Sequence, residues 1–141
     1  MGGKGKVSIR RAVVFHGHLG PYLILGLRAG EIALKKLRCK KYFSLEVRVW
    51  GADKKPRSCL IDGLQLSTGA TYGKGNIKKV NGAIIKIMFY NYSNHRRIIL
   101  KFKDNLIKKL RGVKDHRDSE LLAKQLYNEK FSDLFTITHR Y

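Results

Sequence analysis

Two histidines one glycine apart, His16 and His18, stand just before Gly20 and Pro21. A cysteine, Cys59, opens a second helical stretch about forty residues later. Pro21 suits the first position of a helix, so both imidazoles lie beside backbone amides that carry partial positive charge and favour an anion or a metal-bound hydroxide. Cys59 follows Ser58, the expected cap of the second helix, where the dipole would stabilise a thiolate. Asp62 is three residues on and shares a helical face with it. Two imidazoles, one thiolate and optionally a carboxylate make a zinc site with an open position. The same residues also read without metal: His-x-His pairs arise by chance, and Cys59 can be a small buried hydrophobe.

Residues 68–76, T-G-A-T-Y-G-K-G-N, invite a phosphate-loop reading that fails on spacing. Three residues separate Gly69 from Gly73, and Gly75 follows Lys74 where serine or threonine would hold magnesium. The loop amides and Lys74 could form an anion nest; a tight helix-to-strand connection is the equal alternative.

The elements that must position these groups follow from periodicity. Leu23, Leu27, Gly30, Leu34 and Leu37 recur at helical steps from Pro21, with Gly26 and Gly30 on one face where another backbone can approach closely. Leu45, Val47 and Val49 alternate with polar residues, as in a strand with two unlike faces. A short helix from Ser58 through Gln65 comes next, then strands over 76–80, 83–92 and 96–103. Asn81-Gly82 is a hairpin signal between the first two, and residues 91–94 make a second turn. Helices over 104–110 and from Asp118 or Ser119 to Lys130 follow, with a terminal strand over 134–138. This order predicts one α+β domain over residues 1–141, with helices on a mostly antiparallel sheet and a flexible stretch at residues 1–6.

Thirty Lys and Arg against ten Asp and Glu leave a formal charge of +20. Such a field attracts nucleic acid, acidic proteins or anionic small molecules. The lysines are scattered, as on the solvated surfaces common in hyperthermophiles. Tyr90, Tyr92 and Phe102 on neighbouring strands are either stacking surfaces for nucleic acid or sheet core. Cys39 and Cys59 form no disulfide framework or paired zinc-ribbon motif. The longest apolar stretch, residues 19–27, is too short to span a bilayer, and no secretory leader is visible. A cytoplasmic protein is expected.

Three segments, F-H-G-H-L-G-P at 15–21, S-C-L-I-D-G-L-Q at 58–65 and S-T-G-A-T-Y-G-K-G-N at 67–76, resemble the FmdE or FwdE family, associated with formylmethanofuran dehydrogenase in methanogens and other anaerobes. The resemblance implies an α-β-α-β-β-β core with a mixed sheet, akin to the catalytic domain of glyceraldehyde phosphate dehydrogenases. It implies a metal, usually zinc, with His16, His18 and Cys59 as ligands and Asp62, Gln65, Thr68, Thr71, Lys74 and Asn76 lining the same pocket. Many relatives carry cysteine where Gly20 and Ala70 stand, and many add a C-terminal zinc ribbon that this chain lacks. The family name records association with a molybdenum or tungsten enzyme. With two cysteines and no pterin module, this chain is expected to bind no molybdopterin or iron–sulfur cluster itself. An accessory or small-ligand-binding role follows, as a homodimer or within a larger redox complex.

Overall fold

The computed structural model describes residues 6–140. The flexible stretch expected over residues 1–6 lies outside them except for Lys6, whose ammonium sits 4.2 Å from the Tyr127 ring centroid. The elements are α1 (Ile9–His16), α2 (Pro21–Leu37), β1 (Leu45–Trp50), α3 (Cys59–Thr68), β2 (Ile77–Val80), β3 (Lys86–Asn91), β4 (Arg96–Phe102), α4 (Asp104–Arg111), α5 (His116–Tyr127), α6 (Phe131–Leu134) and β5 (Phe135–Arg140).

The five strands form one sheet in the order β2-β1-β3-β4-β5. Only β1 and β2 are parallel; the remaining neighbours are antiparallel. The α+β class with a mixed, mostly antiparallel sheet is as expected. One sheet face carries Leu45, Val47, Val49, Ile77, Ile87, Phe89, Ile98 and Leu100, all essentially inaccessible. Helix α2 lies against β3 and β4 and packs on α3 and α5. Its residues are mostly buried, which is why its sequence is apolar on nearly every side. Buried Arg28 donates to the carbonyls of Leu126 (2.7 Å) and Tyr127 (3.0 Å), satisfying the last turn of α5.

The α2–α3 crossing is a backbone contact. A Cβ on Gly26 would overlap the Leu60 carbonyl oxygen and lie 2.8 Å from Gly63 Cα, and one on Gly30 would overlap Ser67 Oγ. Ser67 Oγ closes the crossing with a 3.0 Å bond to the Gly26 carbonyl. The close approach expected of Gly26 and Gly30 is therefore used, and it brings the N-terminal ends of both helices together.

Several local expectations are corrected. Helix α1 has no counterpart in the periodicity reading, although Ser8 caps it through a 3.1 Å bond from Arg11 N–H and Gly17 ends it at φ +107°. Asn81-Gly82 forms no hairpin, because β1 lies between β2 and β3. The β1–α3–β2 crossover favours a parallel pair once α3 docks on α2, and residues 81–85 pass the end of β1 at Trp50 and Gly51. The strand expected over 83–92 accordingly starts at Lys86. Ser58 makes no side-chain cap bond, and α5 starts at His116 behind an Asp115 cap rather than at Asp118 or Ser119.

The opposite sheet face presents Arg48, Trp50, Lys78, Lys86, Met88, Tyr90, Arg97, Ile99 and Lys101, in register across four strands and exposed or half-buried. Phe102 belongs to the core beside Tyr22 and Phe135, so it offers no stacking surface.

Candidate metal centre

His16 is the last residue of α1. The left-handed turn at Gly17, a conformation that suits glycine, swings His18 back against it until the ring centroids are 4.6 Å apart. Buried Leu19 anchors the link into α2. Cys59, the first residue of α3, arrives from the other side through the Gly26–Gly63 crossing. One ligand atom from each of His16, His18 and Cys59 lies within 4.8 Å of the other two.

The His16 side chain is only 10% exposed, and its Nδ1 lies 2.6 Å from Asp62 Oδ2. A carboxylate only accepts, so Nδ1 carries the proton of this bond and Nε2 is the nitrogen left to face an ion. That Nε2 is buried and has no hydrogen-bond partner among the described residues. Asp62 thus orients the His16 ring. Gln65 donates to Asp62 Oδ1 (3.4 Å) and accepts from the Tyr72 N–H (3.1 Å), linking the glycine loop to the centre.

The remaining pocket residues expected from the resemblance are occupied elsewhere. Thr68 Oγ1 donates to the Leu64 carbonyl (2.6 Å) and accepts from Ala70 N–H. Thr71 Oγ1 accepts from Lys74 N–H, while Asn76 accepts from Thr71 N–H (2.9 Å) and donates to the Tyr42 carbonyl (3.2 Å). Lys74 Nζ donates to the Gly69 carbonyl and lies near the Tyr42 and Phe43 rings. These groups hold the loop in shape at the far end of α3, a ten-residue helix about 15 Å long. The tight-connection reading of this loop describes its contacts, and none of the four residues walls the cavity beside His18 and Cys59.

Residues 15–137 match the family described as FmdE, molybdenum formylmethanofuran dehydrogenase operon. The chain belongs to the FmdE family. A crystal structure of a tungsten formylmethanofuran dehydrogenase FmdE-like protein from Syntrophus aciditrophicus shares the fold of this FmdE-family chain, with a TM-score of 0.64 and 15% identity over 94% of this chain and 69% of that one. A probable S-adenosyl-L-methionine-binding protein of Archaeoglobus fulgidus is 37% identical over 71 residues, 48% of this chain. The matched stretch is 19% of that relative's length.

The donors in this FmdE-family protein fit a zinc-type ion. Bonds of about 2.0–2.3 Å in a tetrahedron place ligand atoms about 3.3–3.8 Å apart, which the three donors reach with small side-chain movements. The imidazole with a carboxylate behind it is the usual arrangement of a metal-bound histidine. The Cys59 thiol departs from expectation: burial, with Asp62 adding to it and Lys55 opposing, pushes its pKa above the ordinary thiol value. The helix start therefore does not by itself yield a thiolate; an ion would have to displace the proton.

Beside the donors lies a cavity of about 210 Å³ walled by His18, Cys59, Tyr22, Leu110, Val113 and Ser119, among others. Val113 and Ser119 were not legible as lining residues, because the segment from α4 to α5 reaches this place only in the folded chain, and Tyr22, in the first turn of α2, carries no motif that marks it. Gly20 sits at φ −148°, an extended conformation open to any residue. A Cβ there would lie 3.4 Å from His18 Cε1 and 3.7 Å from its Nδ1, ordinary contact, so a cysteine at this position would have room beside the centre. Ala70 is buried beyond the C-terminal end of α3, the opposite end from Cys59.

Proposed function

We propose that this FmdE-family protein is a metal-binding accessory or small-ligand-binding protein. His16 Nε2, His18 and Cys59 would hold zinc or a similar divalent ion, with one position open to the adjoining cavity. The buried, unpartnered Nε2 of His16, fixed by Asp62, carries this reading. An ion there supplies Lewis acidity toward a carbonyl or anionic ligand. Asp62 holds the His16 ring and its tautomer, exposed His18 adjusts to the ligand, and Tyr22, Leu110 and Val113 keep water from it. The family description supports a place beside a molybdenum enzyme, as a subunit of a larger complex; a homodimer is the alternative assembly. The A. fulgidus relative makes S-adenosylmethionine one ligand to test.

Metal analysis of protein purified without a histidine tag tests the reading. About one equivalent is expected in the native chain and much less after Cys59→Ser, His18→Ala or His16→Ala. Equal, negligible metal in all four would remove it.

A second reading, a basic module for nucleic acid or an acidic partner with no metal role, is favoured by the open sheet face. Lys86 Nζ lies 4.3 Å from the Trp50 ring centroid and Arg97 5.5 Å from that of Tyr90, alternating cation and aromatic surface. It predicts single-strand binding that weakens steeply with salt, survives Cys59→Ser and falls after Lys86→Glu.

A further inference from the structure

A second cavity of about 210 Å³ adjoins the one beside His18 and Cys59. Tyr22 and Leu110 line both. Its walls include Ile84, Phe102 and Ile107, and two guanidinium groups, Arg57 and Arg111, stand at it. Arg57 is fixed by donating to the Ala83 carbonyl (2.9 Å) and the Gly51 carbonyl (3.4 Å), and it lines the cavity together with Tyr22. Among the described residues neither arginine has a carboxylate partner. Arg111 ends α4 with its side chain exposed.

Two unpaired guanidinium groups beside a tyrosine hydroxyl fit the planar, bidentate geometry of phosphate or carboxylate oxygens. The aliphatic and aromatic walls between them and Cys59 suit an apolar body. We propose that the two cavities form one cleft for an amphiphilic organic anion, its phosphate or carboxylate held by Arg57 and Arg111 and its body lying over Tyr22 and Leu110. Its far end reaches Cys59 and His18. Only contact of that end with a bound ion rests on the metal reading above; the cleft itself, from the arginines to Cys59, is independent of it. In this cleft the ligand's charge is met by Arg57 and Arg111.

The test is calorimetric titration of n-hexyl phosphate into the full chain, both stripped of metal and loaded with zinc. Arg111→Gln, an exposed position that does not threaten the fold, should weaken binding about tenfold, the usual loss for a charged hydrogen bond. Lys124→Gln removes the same charge at an exposed site on α5 and should change it less than twofold. n-Hexanol should bind at least tenfold more weakly. Parallel titration of hexanoate distinguishes the two anions, the tighter one naming the headgroup. In metal-free protein, saturating hexyl phosphate should slow iodoacetamide alkylation of Cys59 and leave Cys39 unchanged.

Equal losses in Arg111→Gln and Lys124→Gln, hexanol matching the phosphate, no binding of either anion, or an unprotected Cys59 would each overturn the proposal. Failure of the metal reading appears separately, as absent zinc uptake with the metal-free titrations unchanged.

Discussion

His16 Nδ1 and Asp62 Oδ2 are 2.6 Å apart, though 46 residues separate them in sequence. The bond joins the end of one helix to the first turn of another and leaves the second ring nitrogen of His16 without a partner. Asp62→Ala should keep the fold and lower zinc affinity by about 10–100-fold, as loss of a partner behind a histidine ligand does. Asp62→Asn should do less, since an amide oxygen still accepts from Nδ1. Chelator competition measures both; an unchanged affinity in Asp62→Ala would separate the carboxylate from the centre.

Gly26→Val should destabilise by about 3 kcal/mol or more, because the new side chain would strike the α3 backbone at Leu60 and Gly63. Any variant that folds should also lose metal, since the same crossing sets Cys59 against the histidines. Denaturation midpoints and metal content, read on the same samples, check the link.

Gly17→Ala meets a different cost. A Cβ there has open space, but φ +107° suits glycine, so about 1–2 kcal/mol of backbone strain is expected. Urea unfolding should show the loss, and relief of strain by movement of the turn should widen the His16–His18 separation and weaken zinc binding.

Gly20→Cys should tighten metal binding, because its thiol can reach the centre without backbone conflict. Competition against a chelator of known affinity and the visible spectrum of the cobalt-loaded protein provide the readout: added thiolate intensity is expected. A spectrum like that of the native chain would place residue 20 outside the coordination shell.

On the open sheet face, the Tyr92 hydroxyl, with Arg48 and Lys78 behind it, outweighs burial and holds Glu46 below the ordinary carboxylate range. A depressed folded-state pKa means that the stabilisation is complete above the unfolded value near 4.5 and is lost as pH falls through the lower folded value. Glu46→Gln should flatten that part of the acid limb in denaturant titrations from pH 6 to pH 2. An identical acid limb would show that the pair contributes nothing.

Residues that act through near neighbours were legible. The helical spacing of Leu23, Leu27, Leu34 and Leu37, the alternation of Leu45, Val47 and Val49, and the small faces at Gly26 and Gly30 each reflect contacts repeated every turn or every second residue. The donor types His16, His18 and Cys59 were legible for the same reason, as chemistry placed at helix ends. Helix α1 was missed although Ser8 and Gly17 bracket it, because its exposed Val14 and Phe15 blur the apolar stripe.

What the sequence by itself determined is the set of elements and the chemistry they carry: an apolar central helix, alternating strands, two imidazoles, a thiol and a large positive charge. Only the tertiary structure decided which of these meet. Asn81-Gly82 favours a hairpin locally, yet β1 takes the place between β2 and β3. Thr68, Thr71, Lys74 and Asn76 look like pocket residues, yet they brace a loop at the far end of α3. Arg57 and Arg111 carry no motif, yet they face one cavity with Tyr22. The reason is that periodicity records each element's own buried face, whereas proximity between elements depends on how closely their backbones can cross, here at Gly26 and Gly63.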